Sequence, residues 1–361
     1  MKKLLLILFL VPFFANANYL DNKCVILPPA KPCKLRKCSL FADVSFLYWQ
    51  AKSKGLEYAI TNQNPDTGLD GNIVDIDFKW EPAFRLALGM YLPHDNWNIL
   101  ITYTRFEEKS NCNSETSNLN NPISSAGIGI IPVWVHPAAY QNQLNDVRFS
   151  FAEAIWKINY NVIDADFGKS FCLTKVLSIR PYIGIRNAII NQNFDVHYRE
   201  GNIITISGDT VSPLATDVSL KNFSYGIGPL FGFKSNWCTK FSLSIFTNLS
   251  LSLLHTHFDL ERVENSLSSE LIDGQQRNDR AELNEDFWTY KPHAQMIAGI
   301  KWDKCFGCRK HLAISAAYEG NYWWKQNQML KFIDATIIAK TRNTISDLYL
   351  QGLTLSFSLD Y

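Results

Sequence analysis

The chain has 361 residues, of which 47% are hydrophobic and 13% aromatic, with 35 basic against 34 acidic side chains. So even a balance excludes the basic surplus that nucleic-acid binding requires, and nucleic acid is not expected among the partners. Beyond residue 17 no apolar run reaches the roughly 20 residues of a membrane-spanning helix. Insertion into a bilayer therefore has to use strands that close into a barrel, because hydrocarbon offers no partner for the N–H and C=O groups of an open edge.

At the N-terminus, Lys2 and Lys3 precede an apolar run from Leu4 to Phe14 that ends in Ala15-Asn16-Ala17. This is the three-part form of a secretory signal, residues 1–17, with cleavage expected after Ala17. The alternative, a membrane anchor, has about half the length that a spanning helix needs. Cys24 follows Asp21, Asn22 and Lys23 rather than small apolar residues, which argues against lipid attachment. Residues 18–39 hold Cys24, Cys33, Cys38, Pro28, Pro29, Pro32 and five basic side chains. They read as a periplasmic arm, with residues 40–361 forming the barrel.

Past the arm, strands are expected near 41–51, 73–91, 97–106, 148–168, 176–195, 220–234, 240–255, 286–302, 310–324 and 344–361, where side-chain character alternates with period two. Short connections near 92–96, 169–175, 234–239 and 303–309 alternate with long polar ones near 52–71, 107–147, 196–219, 257–285 and 325–343. Short periplasmic turns and long external loops are the asymmetry of outer-membrane barrels. The expected fold class is all-β: a transmembrane antiparallel up-and-down β-barrel of about ten strands, or twelve if 107–147 hides a hairpin.

The faces agree with lipid outside. Leu353, Leu355, Phe357, Leu359 and Tyr361 oppose Gly352, Thr354, Ser356, Ser358 and Asp360. Leu243, Ile245, Leu249, Leu251 and Leu253 oppose Ser242, Ser244, Asn248, Ser250 and Ser252; Tyr225, Ile227, Phe231 and Phe233 oppose Ser224, Gly226, Gly228 and Gly232. Ending on Tyr361, with Phe357 in the same phase, looks like the assembly signal that the barrel assembly machinery reads. Indoles collect at both membrane boundaries. Trp97, Trp237 and Trp302 border the short turns, while Trp49, Trp156, Trp288, Trp323 and Trp324 lie toward the other strand ends. Trp97, Trp237, Trp302, Trp288 and Trp323 are therefore expected in two aromatic girdles, with an ordinary core tryptophan as the alternative at each position.

Phasing the hairpin around Cys172 sends Arg180, Tyr182 and Arg186 inward, opposite Ile179, Ile183 and Ile185. On the preceding strand Asp164 and Asp166 share the face opposite Ile163, Ala165 and Phe167. A tight turn would set Asp164 or Asp166 across from Arg180 as a charge pair. With Arg85 as a third inward cation, these side chains are expected either to line a pore and set its ion preference or to brace a packed interior, which in a barrel of roughly eight to ten strands side chains can nearly fill.

Cys172, Cys238, Cys305 and Cys308 fall in short turns and Cys24, Cys33 and Cys38 in the arm, so seven of eight cysteines lie on the oxidising periplasmic side. Disulfides are expected of them, within the chain or between neighbouring proteins, with connectivity open. Cys305-Phe306-Gly307-Cys308 also has redox or zinc spacing, but no second pair and no thioredoxin-like βαβ setting accompany it. His255 and His257 alternate onto one face, where they could bind a metal or stay solvated at an external rim. With Asp259 they are the one cluster that an outer-membrane hydrolase could use, and no G-x-S-x-G, H-E-x-x-H or Walker lysine pattern goes with them. No metal, cofactor or enzymatic activity is expected.

Several stretches resemble a known family. Phe46-Leu47-Tyr48-Trp49 with Gly55-Leu56-Glu57-Tyr58-Ala59, the run from Phe78 to Gly89 (FKWEPAFRLALG), His94-Asp95-Asn96-Trp97, and the run from Arg180 to Arg186 (RPYIGIR) are similar to the major outer membrane proteins of Legionella and the chlamydia-related bacteria. The resemblance implies an abundant porin-like protein of the Gram-negative outer membrane, with channel activity for small solutes and surface-exposed loops that are adhesive or antigenic. It also implies outer-membrane lipids and lipopolysaccharide as partners, and its chlamydial side points to disulfide-linked envelope proteins or a linked homo-oligomer. A mainly structural or adhesive barrel is the alternative.

Overall fold

The computed structural model describes residues 39–62, 71–92, 97–115, 129–136, 149–174, 176–204, 210–239, 242–272, 275–306, 310–333 and 340–360. The expected signal, the arm up to Cys38, residues 93–96, Cys308, Tyr361 and the side chain of Cys305 lie outside the described parts. Every regular element described is a strand: β1 (Ser39–Ser53), β2 (Ala59–Asn62), β3 (Gly71–Val74), β4 (Trp80–Tyr91), β5 (Trp97–Glu115), β6 (Gly129–Pro132), β7 (Phe151–Lys169), β8 (Phe171–Cys172), β9 (Leu177–Ile204), β10 (Thr210–Cys238), β11 (Leu243–Ile272), β12 (Gln275–Phe306), β13 (Lys310–Phe332) and β14 (Thr341–Asp360).

Ten of these strands close into a ring. In the order β1, β4, β5, β7, β9, β10, β11, β12, β13, β14 each pairs antiparallel with the next, and β14 pairs back onto β1 from Phe41 opposite Asp360 to Ser53 opposite Leu348. Closure leaves the ring without an edge, the condition for backbone in hydrocarbon. β8 adds two residues beside β9 at the rim of the short turns.

The count of ten strands is borne out, and one boundary is corrected. Among its described residues the segment 107–147 adds no hairpin to the wall, where β5 pairs directly with β7, so the ring has ten strands. Its residues 129–132 form β6, which joins β2 and β3 in a separate three-stranded sheet. The strand expected over 73–91 is two elements, because 71–74 belongs to that small sheet and the wall strand starts at Trp80.

A second correction concerns the described parts of 196–219 and 257–285, which continue the wall as strands instead of forming external loops. Their alternation is intact but its sense is reversed. In the lower wall Ile227, Phe231, Leu251, Leu253, Leu355 and Phe357 are exposed while Ser224, Ser250, Ser252 and Thr354 are buried. Higher up, Val196, Tyr198, Val218, Leu220, Phe258 and Leu260 are buried, and Lys221, Asp259 and Asp286 face outward.

The crossover marks where lipid gives way to water, since each medium selects the side chains that face it. On β10 the outward apolar positions run from Phe223 to Phe233. Ten residue steps at roughly 3.3 Å, tilted by about 40°, span about 25 Å, the height of a membrane belt. Above the belt the barrel is a water-soluble wall.

Candidate functional site

The interior has three levels, built from the short-turn end upward. The lowest is a chamber of about 360 Å³ whose lining runs from strand-end residues such as Tyr91, Ser178, His311 and Asp360 up to Arg85, Asp164 and Arg186. At its roof are two bidentate ion pairs. Glu319, fully buried on β13, accepts from Arg85 Nη1 at 2.9 Å and Nη2 at 2.7 Å. It also accepts from Gln295, Asn321 and Thr354 at 2.6–3.1 Å, while Arg85 Nε donates to Thr104 at 2.9 Å. Arg186 grips Asp164 through Nε at 2.7 Å and Nη2 at 2.6 Å, and reaches Gln295 on β12 at 2.9 Å. Its Nη1 lies 2.5 Å from His293 Nδ1, which must accept because a guanidinium only donates.

Arg85, Asp164, Asp166, Arg180 and Arg186 all face inward, and Arg180 pairs with Asp166, one of the two acids expected for it, while Arg186 takes the other. Asp164 stands opposite Arg186 in the β7–β9 register. Arg180 reaches Asp166 at 2.5 Å, passing over Gly168, where an added Cβ would lie 2.8 Å from the guanidinium carbon. Glu319, Gln295 and His293 escape sequence reasoning because their partners lie on strands that ring closure alone brings near. A signal was present all the same: Glu319 is an acid at inward parity in the middle of β13, a position that demands a buried cation.

The middle level is a septum of rings. Phe106 lies 6.1 Å from Trp49, Trp49 lies 6.5 Å from Tyr160, Tyr160 lies 6.0 Å from Trp323, and Trp323 lies 4.1 Å from His293. The β7 and β13 strands that carry Tyr160 and Trp323 are five places apart in the ten-membered ring, diametrically opposite. Side chains from opposite walls therefore meet in the centre. Arg85 lies 5.5 Å beneath the Trp49 ring, so the ion pairs and the septum share a contact face.

This arrangement corrects the girdle assignment of Trp323; Trp49 and Trp156 lie toward the other strand ends as expected, but likewise on the inner face. All three are buried inside, because the inward parity of their strands continues past the membrane boundary. Trp288 is exposed on the outer face, where it stacks on His255 at 4.7 Å. Trp97 stacks on lipid-facing Phe167 at 4.5 Å, and Trp237 and Trp302 lie outward opposite exposed Ile245 and Leu243.

The top level is a cap made by the small sheet and the chain around it. Leu56, Tyr58, Ile130 and Trp134 pack in one apolar cluster with Trp156, Phe194, Val196 and Tyr198 of the wall. Polar anchors hold the cap. Trp134 Nε1 donates to Glu57 O at 2.8 Å, and Arg262 Nη2 donates to Trp134 O at 2.5 Å and to Glu264 at 2.6 Å. Glu264 accepts the His136 N–H at 2.8 Å. Glu108 accepts the N–H groups of Ala51 at 3.0 Å and Lys79 at 2.9 Å. Outside the belt on the same wall, the Asp217 hydrogen bond holds the His197 imidazole above its ordinary pKa.

The remaining candidates are scattered. Cys172 and Cys238, with Cys112 of β5, are free thiols, so no bridge joins these three to one another. His255 and His257 do not converge on a metal: both face outward at the upper belt edge, His255 against Trp288 and Tyr290, and His257 3.7 Å from Asp286. Phe357 faces outward between Val44 and Ile314.

Comparison with known proteins bears on the whole chain. None of the curated protein sequences matches it. Among solved structures it is similar to the outer membrane protease OmpT of Escherichia coli (10% identity, 90% of this chain and 96% of that one, TM-score 0.36). It is also similar to a Pseudomonas aeruginosa FadL homologue (10% identity, 92% of each chain, TM-score 0.29). A major outer membrane protein of Thermus thermophilus is a further likeness (10% identity, 90% of this chain and 100% of that one, TM-score 0.27). The model of the family described as Legionella pneumophila major outer membrane protein precursor matches residues 31–361. A closed ten-stranded wall with an apolar belt, and a family match over nearly its full length, make this chain an outer-membrane protein of the Legionella major outer membrane protein family.

Proposed function

We propose that the protein is a closed outer-membrane barrel, a wall element that carries a rigid strand extension to the cell surface, and not an open pore for solutes. The observation that carries this reading is the contact between Tyr160 and Trp323 across the full width of the ring. A solute moving along the barrel axis would have to displace it, together with the buried cap above. A ten-stranded barrel is narrow enough for side chains to fill, and here they do so over the outer half.

A second reading is a channel that conducts once the septum is displaced. It is favoured by the charged chamber beneath, where Arg85, Asp164 and Arg186 stand ready to set ion preference. An enzymatic role is not favoured, because His255 and His257 are engaged with interfacial aromatic rings on the lipid-facing side.

Liposome swelling separates the readings. Liposomes carrying the full-length barrel are expected to swell in small sugars no faster than protein-free liposomes. Swelling at the rate of a general porin would overturn the closed-barrel proposal. The periplasmic cysteines keep their proposed role in disulfides to the arm or to neighbouring proteins, as the free thiol of exposed Cys172 allows.

A further inference from the structure

Within the chamber, the charges do not all find partners. Arg186 holds Asp164, Arg180 holds Asp166, Lys301 holds Asp303 at 2.8 Å, and His311 lies 3.2 Å from Asp360. Asp43 accepts from the hydroxyls of Ser45 and Ser358. Lys234 stands apart: among the described residues it makes no hydrogen bond or ion pair, and its ammonium lies 5.8 Å from the centre of the Tyr182 ring. In the β9–β10 register Lys234 is directly opposite Arg180. Like charges at directly opposed positions on one face destabilise a sheet.

Arg180 has its own unmet demand. The residue is 9% exposed, Nε donates to Asn98 at 2.7 Å and Nη2 to Asp166, while buried Nη1 has no partner. The guanidinium carbon lies 5.3 Å from the same Tyr182 ring that Lys234 approaches. That ring lies over Gly232, where a Cβ would come within 2.4 Å of its Cζ. Glycine therefore lets the tyrosine lie against the wall. Two cations that approach the same ring, each with an unmet donor and one of them buried, oppose each other unless an acceptor with negative charge joins them.

We propose that Arg180 and Lys234 form a binding site for one small soluble oxyanion, a carboxylate or phosphate, entering from the periplasm. The anion accepts from Arg180 Nη1 and the Lys234 ammonium, and Tyr182 forms the floor. Asp43 and Asp360 line the same chamber, and their repulsion limits occupancy to one anion. The site lies below the septum, so it does not depend on whether the lumen is closed above.

Calorimetric titration of inorganic phosphate into the full-length barrel in non-ionic detergent, at constant ionic strength in chloride, tests this. Saturable binding is expected, weakened at least about tenfold by Lys234→Met, the loss of one charge-assisted hydrogen bond. Lys301→Met, whose ammonium is already held by Asp303, should leave the affinity unchanged. Lys234→Met should unfold in a cooperative transition, which shows that it is folded, and phosphate should raise its unfolding temperature less than that of the wild type. Absence of saturable phosphate binding by the wild type, or equal affinity in folded Lys234→Met, would overturn the proposal.

Discussion

Replacing Glu319 by alanine should destabilise the barrel by about 3–5 kcal/mol, the cost of removing one partner from a buried ion pair. Among the described residues Glu319 is the one carboxylate in contact with Arg85, and both side chains are about nine-tenths or more buried, at 11% and 0% exposure. Alanine would leave the guanidinium in the interior with Thr104 as its remaining hydrogen-bond partner, and would strip acceptors from Gln295, Asn321 and Thr354 as well. Glu319→Gln, which keeps the shape and one carbonyl acceptor, should cost less. The urea midpoint of reversible unfolding in micelles measures both. A Glu319→Ala loss below about 1 kcal/mol would mean that water reaches Arg85 freely, as it does around exposed pairs.

The second large effect concerns the septum. Trp49→Ala combined with Trp323→Ala removes two indoles that are both almost fully buried, at 0% and 1% exposure. Each truncation should cost about 3–5 kcal/mol by itself. Tyr160 would then lose the ring contacts on both sides. In planar bilayers the double variant is expected to show discrete current steps that the wild type lacks. If the variant folds and stays silent, the cap of Tyr58, Ile130 and Trp134 seals the barrel without the septum.

Much of the wall could be read from alternation. Lumen and lipid faces separate cleanly along 225–233, 241–253 and 353–360, because one side chain in two meets hydrocarbon there. The same rule gives the inward placement of Asp164, Asp166, Arg180 and Arg186. It gives Trp323 too, since positions 311, 313, 315, 317, 319, 321 and 323 share a face on β13. The girdle assignment failed because it used position along the strand and ignored parity.

The upper wall was missed for a different reason. A search for apolar-out strands passes over Val196, Tyr198, Val218 and Leu220, where water is outside and apolar side chains turn in. The cap was missed because it is built from loops, and nothing local marks Leu56 or Trp134 as interior. Arg85 with Glu319 spans 234 residues of sequence, a separation at which spacing carries no information and only the closure of the ring supplies the neighbour.

Thiol access inside the barrel tests the closed lumen most directly. In a chain whose native cysteines are replaced by serine, Ser356→Cys places a reporter in the chamber and Ala154→Cys places one in the apolar cluster above the septum. With a membrane-impermeant maleimide, the first should react from the periplasmic side alone and the second from neither side. Labelling of both positions from both sides would mean a continuous aqueous path, and would contradict the account.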